Sequence, residues 1–203
     1  MKVAVLAVQG AFIEHEQMLQ TLGVETVELR KKSDLKQDFQ GLILPGGEST
    51  VQGKLLEELG MKKEIQNLIQ EGMPVLGTCA GLILLARHLV NDERTYLGTL
   101  PVKVHRNGYG RQLGSFSCEE SFDKIEHFPM RFIRAPFISS ICQYGHEEEV
   151  EVLATIQDRI VGVKYQNQMG LSFHPELTND TRIHEQFMKM IRSDYSDPRG
   201  LTK

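Results

Sequence analysis

The sequence has few cysteines and no excess of charge of either sign. Its 203 residues include three cysteines, an odd number without Cys-x-x-Cys spacing. We therefore expect neither a disulfide framework nor a metal site, and a reducing, cytoplasmic location is the simplest interpretation. The formal net charge is −4, so the chain lacks the basic surface that binds nucleic acid or an anionic membrane. Small neutral substrates or protein partners fit this composition better.

Long apolar runs are also absent. No stretch approaches the length of a transmembrane helix, so no membrane association is expected. The apolar residues 3–8 form a segment shorter than a usual signal-peptide core, and Gln9-Gly10 ends it, so we interpret it as a first strand. The chain length suits one domain with a substantial core. We predict a single domain over residues 1–192 and a flexible, polar tail over residues 193–203.

Strands and helices alternate in the first part of the chain. Residues 3–8 and 41–44 are apolar throughout, as is typical of strands buried between two helical layers, and residues 24–29 are predicted as another strand. Residues 12–22 have the mixed pattern of an amphipathic helix, and Gly23 is its predicted stop. Strand, helix and strand at this spacing predict a parallel sheet with a right-handed crossover. Further helices are predicted over residues 51–59 and 62–70.

After residue 90 the pattern becomes richer in β-forming residues. The helix that begins after Cys79 is predicted to fade at residues 90–92, and short strands separated by Gly, Pro and Asn then favour antiparallel additions to the sheet. These strands are predicted at residues 96–105, 111–118, 131–133, 151–155 and 160–165. A last strand over residues 170–173 precedes a closing helix, which Asn179 or Asp180 would cap and which runs through Ile191. The fold predicted is α/β, a three-layer sandwich around a mostly parallel sheet.

The segment Gly77-Thr78-Cys79-Ala80-Gly81 lies between a short apolar run and a helix-favouring one. Two glycines beside a cysteine allow a sharp turn such as the nucleophile elbow of hydrolases, in which serine takes the place of cysteine. A helix N-terminus there would favour the thiolate. Cys79 is thus a candidate nucleophile, although a free cysteine is also commonly a small buried apolar residue. The segment alone leaves both interpretations open.

Two other polar segments follow apolar strands. Pro45-Gly46-Gly47-Glu48-Ser49-Thr50 can aim backbone N–H groups at a ligand, although alone it is equally typical of a turn with an N-cap. His174-Pro175-Glu176 comes directly after the last strand, and residues two apart in an extended chain point to the same side. Because ligands gather at the carboxyl ends of strands in open α/β sheets, we expect these segments to meet Cys79.

These segments supply the groups that acyl transfer at a thiol needs. His174 can act as base and Glu176 can orient its ring, whereas in isolation each would be interpreted as a solvated surface side chain. The backbone N–H groups of Gly47 and Ala80 are candidate donors to the developing oxyanion. The proposed constellation is therefore a cysteine, histidine and glutamate triad with a backbone oxyanion hole.

Residues 44–50, 77–81 and 172–177 together resemble the class I (triad) glutamine amidotransferases, which have a flavodoxin-like fold. More narrowly, the chain is similar to the glutaminase subunits of pyridoxal 5′-phosphate synthase. Arg106-Asn107 with Gly110-Arg111-Gln112, and Phe132-Ile133-Arg134-Ala135-Pro136, are typical of that subfamily. The similarity extends over nearly the whole chain.

The resemblance implies hydrolysis of L-glutamine to glutamate and ammonia through a thioester on Cys79, with His174 as base and acid and Glu176 orienting it. It also implies that a separate (β/α)₈-barrel synthase subunit receives the ammonia, and that this chain itself needs no cofactor. Partner contacts are expected near Gln9-Gly10 and the 46–50 loop, where they would couple partner binding to assembly of the oxyanion hole. The glutamine-binding residues that it implies are Gly47, Glu48, Ser49, Arg106, Ile133 and Arg134.

Some positions depart from the family pattern. Gly108-Tyr109 stands where Ser-Phe or Ala-Phe is expected, Phe137 replaces a common histidine, and the segment after Ile191 is long. Alternative functions are a glutaminase that serves another synthase, such as the one of histidine biosynthesis, a catalytically silent regulatory homologue, and a cysteine hydrolase or chaperone of similar fold. Arg106 and Arg134 favour a subunit of pyridoxal 5′-phosphate synthase over a subunit of another synthase, and the intact triad argues against a catalytically silent homologue.

Overall fold

The computed structural model describes residues 1–106, 115–142 and 149–196, and the side chains through residue 193. Five α-helices lie in the described part of the chain: α1 Phe12–Thr21, α2 Ser49–Glu58, α3 Lys62–Gln70, α4 Ala80–Leu85 and α5 Arg182–Ser196. The strands are β1 Lys2–Leu6, β2 Glu25–Leu29, β3 Gly41–Leu44, β4 Val75–Thr78, β5 Ala86–Leu89, β6 Leu100–His105, β7 Ser115–Phe122, β8 Ile125–Ile133, β9 Phe137–Ile141, β10 Glu151–Ile156, β11 Arg159–Tyr165 and β12 Gln168–Leu171. Short 3₁₀ turns occupy Lys32–Lys36 and Pro175–Leu177. None of the described helices is both long and apolar enough to cross a membrane.

A large mixed sheet organises the fold, in the order β2-β1-β3-β4-β12-β11-β9-β6-β5, with β10 paired to β11. Strands β2, β1, β3, β4 and β12 run parallel to their neighbours in this order, whereas β12 and β11 are antiparallel. The strand order β2-β1-β3-β4 is that of the flavodoxin-like arrangement. The predicted α/β fold with a mostly parallel sheet and antiparallel additions is therefore confirmed.

The two faces of the sheet bury separate apolar clusters. Ala4 and Leu6 of β1 pack toward α2, α3 and α4, whereas Val3 and Val5 of the same strand pack toward α1 and α5. Alternate residues of a strand point to opposite faces, so a strand that is apolar throughout can be covered on both sides. The parallel half of the sheet thus forms the middle layer of the predicted three-layer sandwich.

The structure differs from the sequence prediction at several boundaries. The helix after Cys79 ends at Leu85 rather than near Val90, because residues 86–89 form β5 and pair with β6. The segment predicted as a short strand over residues 131–133 is the end of the longer strand β8, and β9 was not predicted. Helix α5 extends beyond Ile191 to Ser196, and at its start the Arg182 N–H donates a 3.0 Å hydrogen bond to the Asp180 side chain. The remainder of the predicted tail, residues 197–203, lies outside the described residues.

The hairpin of β7 and β8 forms a second, two-stranded sheet that covers part of the α5 face. Aromatic rings attach it: Phe128 and Phe122 lie 6.1 Å and 6.0 Å from the ring centroid of Phe173, at the end of the main sheet. Arg182 of α5 also donates hydrogen bonds to backbone carbonyls of the hairpin, at 3.0 and 3.2 Å. The hairpin position matters for the site because the Arg131 carbonyl accepts a 2.8 Å hydrogen bond from the His174 N–H.

Replacement of Phe128 by alanine tests this attachment. Phe128 is fully buried, so Phe128→Ala should lower the free energy of unfolding by about 3–5 kcal/mol through lost burial and a residual cavity. Val152→Ala, on the exposed side of β10, should change it by less than about 0.5 kcal/mol. Urea unfolding followed by circular dichroism measures both. Equal losses in the two variants would contradict the role of the aromatic cluster.

Candidate active site

The site lies where four neighbouring parallel strands end. Gln9 and Gly10 follow β1, the glycine loop follows β3, Cys79 follows β4, and His174 follows β12. These strands are adjacent in the sheet, so their carboxyl ends meet at one edge. The structure therefore brings together the three segments that sequence reasoning selected.

Cys79 occupies a strained turn between β4 and α4. Its φ of 48° and ψ of −98° are unusual for a residue with a side chain, and such a conformation costs on the order of 1–3 kcal/mol. Its N–H donates to the Leu171 carbonyl of β12 at 2.8 Å, which fixes the turn to the neighbouring strand. Glycine is needed at position 81, because a Cβ there would lie 2.0 Å from the Leu44 carbonyl oxygen. This is the geometry of a nucleophile elbow.

His174 and Glu176 form a buried pair beside the cysteine. Nδ1 of His174 lies 2.7 Å from Oε1 of Glu176, and both side chains are almost completely buried. Cys79 is among the groups that act on the His174 imidazole, and its thiol also lies 4.0 Å from the Ile133 carbonyl oxygen. Nδ1 faces the carboxylate, so Nε2 is left to exchange a proton with the thiol. The structure thus brings Cys79 and His174 to one cavity and places Glu176 directly behind the histidine.

The charge state of the pair follows from these contacts. Burial alone lowers the pKa of His174, but hydrogen bonds with Cys79 and Glu176 outweigh it and raise the pKa to about 10. Burial raises the pKa of Glu176, and the hydrogen bond to His174 opposes that rise. A thiolate beside an imidazolium is the reactive form of such a cysteine. Burial raises the pKa of Cys118 and Cys142 instead, so those two thiols are less reactive.

The glycine loop packs directly against the triad. A Cβ on Gly46 would lie 2.2 Å from Cε1 of His174, so only glycine lets the loop approach the ring this closely. The Gly46 carbonyl accepts a 2.9 Å hydrogen bond from the Ala11 N–H, and the Gly46 N–H donates to Oγ1 of Thr78 at 3.1 Å. Within the described residues, the N–H groups of Gly47 and Ala80 have no hydrogen-bond partner. These two donors are therefore available to a ligand.

The triad opens into a cavity of about 410 Å³. Every residue predicted from the sequence to bind substrate lines this cavity. These residues are Gly47, Glu48, Ser49, Arg106, Ile133 and Arg134. Cys79 and His174 also line it, whereas Glu176 is buried behind the histidine.

The two arginines of the cavity differ in their surroundings. Arg106 lies 3.1 Å from Oδ2 of Asp92 and donates to the Tyr96 hydroxyl at 2.7 Å. Arg134 has no ion-pair partner among the described residues and adopts a positive φ of 44° just after the end of β8. Arg134 thus presents the less neutralised cation to the cavity. The charge of Arg106 is already shared with Asp92.

Sequence reasoning missed some of the lining. Glu14, Ile83 and Leu177 also face the cavity. Glu14 could have been predicted from the sequence, because it lies in the first turn of α1, which follows β1 at the same edge of the sheet. Of the predicted subfamily residues, Asn107 and Gly110-Arg111-Gln112 lie outside the described residues, as does the unusual Gly108-Tyr109. Phe137 stacks on His105 with ring centroids 5.2 Å apart and lies under the Arg159 guanidinium.

Residues 5–193 match the model of the SNO glutamine amidotransferase family. The match includes the elbow, the glycine loop and the His174-Pro175-Glu176 segment. The chain belongs to the SNO glutamine amidotransferase family. It is therefore a glutamine amidotransferase, as the sequence resemblance indicated.

Similar proteins agree with this assignment. The pyridoxal 5′-phosphate synthase subunit PdxT of Desulfitobacterium hafniense strain DSM 10664 / DCB-2 is 59% identical over 198 residues, which is 98% of this chain and 97% of the relative. The protein of the same name from Streptococcus pneumoniae strain CGSP14 is 49% identical, over 95% of this chain and 98% of its own.

Solved structures share the fold. A crystal structure of a glutamine amidotransferase has a TM-score of 0.86 and 42% identity, with 94% of this chain and 98% of that one covered. A glutamine amidotransferase from Thermotoga maritima has a TM-score of 0.61 and 19% identity, with 99% of this chain and 88% of that one covered. The second similarity concerns the fold alone.

A methyl group on the glycine loop tests the contact with the base. Gly46→Ala should displace the His174 ring and weaken the thiolate, so that alkylation of Cys79 by iodoacetamide at pH 7 slows by about tenfold or more. Peptide mass spectrometry separates Cys79 from the other two cysteines. Gly72→Ala is the control, because its Cβ meets nothing within 4 Å; its positive φ of 102°, which Gly46 does not share, makes it the more demanding change for the backbone. Unchanged alkylation in Gly46→Ala would exclude the close packing.

Proposed function

We propose that this chain is the glutaminase subunit of a pyridoxal 5′-phosphate synthase and that it hydrolyses L-glutamine at Cys79. The main support is that Cys79 and His174 line one cavity, with His174 held 2.7 Å from the buried Glu176, in a member of the SNO family. Relatives that are 49–59% identical over nearly the full chain are named as subunits of pyridoxal 5′-phosphate synthase, and we take the identity of the synthase from those names. Cys79, His174 and Glu176 are the proposed catalytic residues.

The first half of the reaction forms a thioester. The Cys79 thiolate attacks the side-chain amide carbon of glutamine, and the carbonyl oxygen acquires negative charge. The N–H groups of Gly47 and Ala80 stabilise that charge, as backbone donors do without side-chain ordering. Imidazolium His174 then donates its proton to the leaving nitrogen, and the C–N bond breaks to release ammonia.

The second half regenerates the thiol. Neutral His174 takes a proton from water, and the resulting hydroxide attacks the thioester carbon. The C–S bond breaks, glutamate leaves, and the cysteine and histidine return to the thiolate and imidazolium forms. Glu176 holds the ring orientation through Nδ1 in both halves. No cofactor takes part in either half within this chain.

Glutamine recognition is assigned to the rim of the cavity. Arg134 and Arg106 provide guanidinium groups for the α-carboxylate, for which an arginine fork is well suited. The segment Gly47-Glu48-Ser49 and the backbone of Ile133 supply further polar groups on the same cavity. The unpaired state of Arg134 among the described residues makes it the stronger cation for an anionic group.

The ammonia is passed to a separate synthase subunit, which we propose to be a (β/α)₈ barrel. The contact is assigned to Gln9-Gly10 and the 46–50 loop, which three hydrogen bonds couple. The Ala11 N–H donates to the Gly46 carbonyl, the Glu48 N–H donates to Oε1 of Gln9, and Nε2 of Gln52 donates to the Gln9 carbonyl. A partner that moves the segment after β1 therefore moves the loop that carries the Gly47 donor. A cytoplasmic location, where a reducing environment preserves the free thiols, completes the proposal.

The nucleophile is tested by exchange of single cysteines. In the presence of the barrel synthase subunit, Cys79→Ala should lower the rate of glutamate release by at least about 1000-fold, because the thioester cannot form. Cys118→Ala should retain the rate within about twofold, because its side chain lies outside the cavity. Glutamate release that survives Cys79→Ala would overturn the mechanism. An equal rate with and without the synthase subunit would overturn the coupling of partner binding to the oxyanion hole.

Substrate recognition is tested at Arg134. Arg134→Ala should raise the KM for glutamine about 10- to 100-fold, the effect of one lost charge-assisted interaction, with kcat little changed. The matched control is Arg131→Ala, an exposed arginine near the end of β8 that lies three residues before Arg134 but outside the cavity. Steady-state glutaminase kinetics with the synthase subunit present distinguish the two. An unchanged KM in Arg134→Ala would assign the α-carboxylate to another group.

A further inference from the structure

A group of buried polar side chains lies behind the triad and takes no part in the chemistry above. His15 of α1 is completely buried, as are Thr78, at the end of β4, and His184 of α5. Nε2 of His15 lies 3.1 Å from Oγ1 of Thr78, and Nδ1 lies 3.0 Å from Nε2 of His184. Both ring nitrogens of His15 are therefore engaged by named partners.

The same ring reaches the triad. Nε2 of His15 lies 3.4 Å from Oε2 of Glu176. Oε2 is the carboxylate oxygen that does not face His174, and it has no hydrogen-bond partner within the described residues. A buried carboxylate oxygen without a donor is costly. An N–H directed at Oε2 would remove that cost.

The contacts select one arrangement of protons. If Nε2 carries the proton, it donates to Oγ1 of Thr78 and its positive end lies 3.4 Å from the carboxylate oxygen, while Nδ1 accepts from the Nε2–H of His184. The Nδ1 atom of His184, buried without a partner among the described residues, is then a bare acceptor. The opposite tautomer would turn a lone pair toward the carboxylate and leave a buried N–H unpaired at His184. Because an orphaned buried N–H is the rarer condition, the first arrangement is favoured.

The two histidines are neutral in this arrangement. Burial lowers the pKa of His15, and the charges of His184 and His174 lower it further. Burial lowers the pKa of His184 to about 4. The other ionisable groups near the pair are Glu176 and Glu14. A neutral donor can hold the carboxylate without competing with the His174 imidazolium for its charge.

We propose that His15 is a positioning residue that fixes the second oxygen of Glu176 and, through the Thr78 hydroxyl, the glycine loop. The Thr78 oxygen accepts the Gly46 N–H at 3.1 Å. One imidazole on α1 thus touches both the group that orients the base and the residue that holds the loop. His184 supports it from behind. The proposal rests on the triad assigned above.

The consequence for catalysis is a loss of alignment rather than of a reacting group. Without the N–H of His15, Glu176 holds the His174 imidazolium less firmly, so the imidazolium becomes less stable. The coupled pair of Cys79 and His174 then reaches its reactive thiolate and imidazolium form less readily. A residue that merely filled the core would affect the free energy of unfolding but leave this titration in place.

Substitution of His15 by leucine, glutamine and asparagine tests the proposal. Turnover is measured as glutamate release by the complex of glutaminase and synthase subunits. The pH profile is measured as the rate of alkylation of Cys79 by iodoacetamide. His15→Leu removes both ring nitrogens. It should lower kcat for glutamate release about 10- to 100-fold with KM within about twofold. It should also move the midpoint of the pH profile of alkylation upward by about one unit.

The glutamine and asparagine variants distinguish the roles of the two ring nitrogens of His15. The side-chain nitrogen of glutamine reaches about as far as Nε2 of histidine and that of asparagine about as far as Nδ1, so His15→Gln should recover most of kcat and the original midpoint, whereas His15→Asn should not. This comparison carries the test even if His15→Leu fails to fold. Leu19→Ala, one turn along α1 and fully buried, is the control that loses stability without touching Glu176.

The outcomes distinguish this proposal from the mechanism itself. A native chain whose Cys79 is alkylated no faster than Cys118 at pH 7 would overturn the assigned triad. Two other outcomes would overturn only the role of His15. In one, His15→Leu leaves the pH profile of alkylation as it is in the native chain. In the other, Leu19→Ala shifts that profile as much as His15→Leu does. Equal recovery by His15→Asn and His15→Gln would also overturn it, because the proposal requires the donor at Nε2.

Discussion

The backbone of Cys79 is the constraint on which the site depends. A residue with a side chain is held at positive φ between a buried strand and a short helix, and the strain is tolerated because the surroundings leave no alternative path. The hydrogen bond from its N–H to Leu171 fixes one side of the turn, and the contact of Gly81 with the Leu44 carbonyl fixes the other. The direction of the thiol is thus set by the sheet itself. His174, which follows the strand that accepts this hydrogen bond, is positioned by the same pairing.

The buried polar groups behind the site lie in one connected region rather than scattered. Glu176, His15 and His184 would each be costly in isolation, yet each lies beside another polar group of the set. The aromatic cluster of the hairpin covers this region on the α5 side and keeps water from it. Stability and reactivity therefore rest on the same packing. The burial that strengthens the interaction of His174 with Glu176 also makes it costly to leave the second carboxylate oxygen of Glu176 unpaired.

The sequence predicted the parts of the fold that local pattern determines. Strands that are apolar on both faces, such as Gly41–Leu44, and the segments that follow them were identified correctly, and the rule that strand ends meet brought Cys79 and His174 together. The end of α4 was predicted wrongly because residues 86–89 contain no glycine or proline that would end a helix, and only pairing with β6 makes them a strand. Local composition does not encode that pairing.

Residues behind the site were harder to find for a different reason. His15 is one of several polar residues on an amphipathic helix, although its spacing from Met18 and Leu19 places all three on the buried face. Which groups it meets depends on α5 and on β4, far away in the sequence. The role of each catalytic residue remains a proposal from geometry and resemblance, whereas the family is established by similarity along nearly the whole chain.

The pairing of β4 with β12 also has a consequence for the order in which the protein matures. Until β12 inserts beside β4, the elbow lacks both its backbone acceptor and its base. Contacts between segments so distant in sequence form late, since loop closure must precede them. On the ribosome, the chain therefore carries an inactive thiol until it has been synthesised beyond His174. A product that ends before His174 has the cysteine without its base and cannot release ammonia.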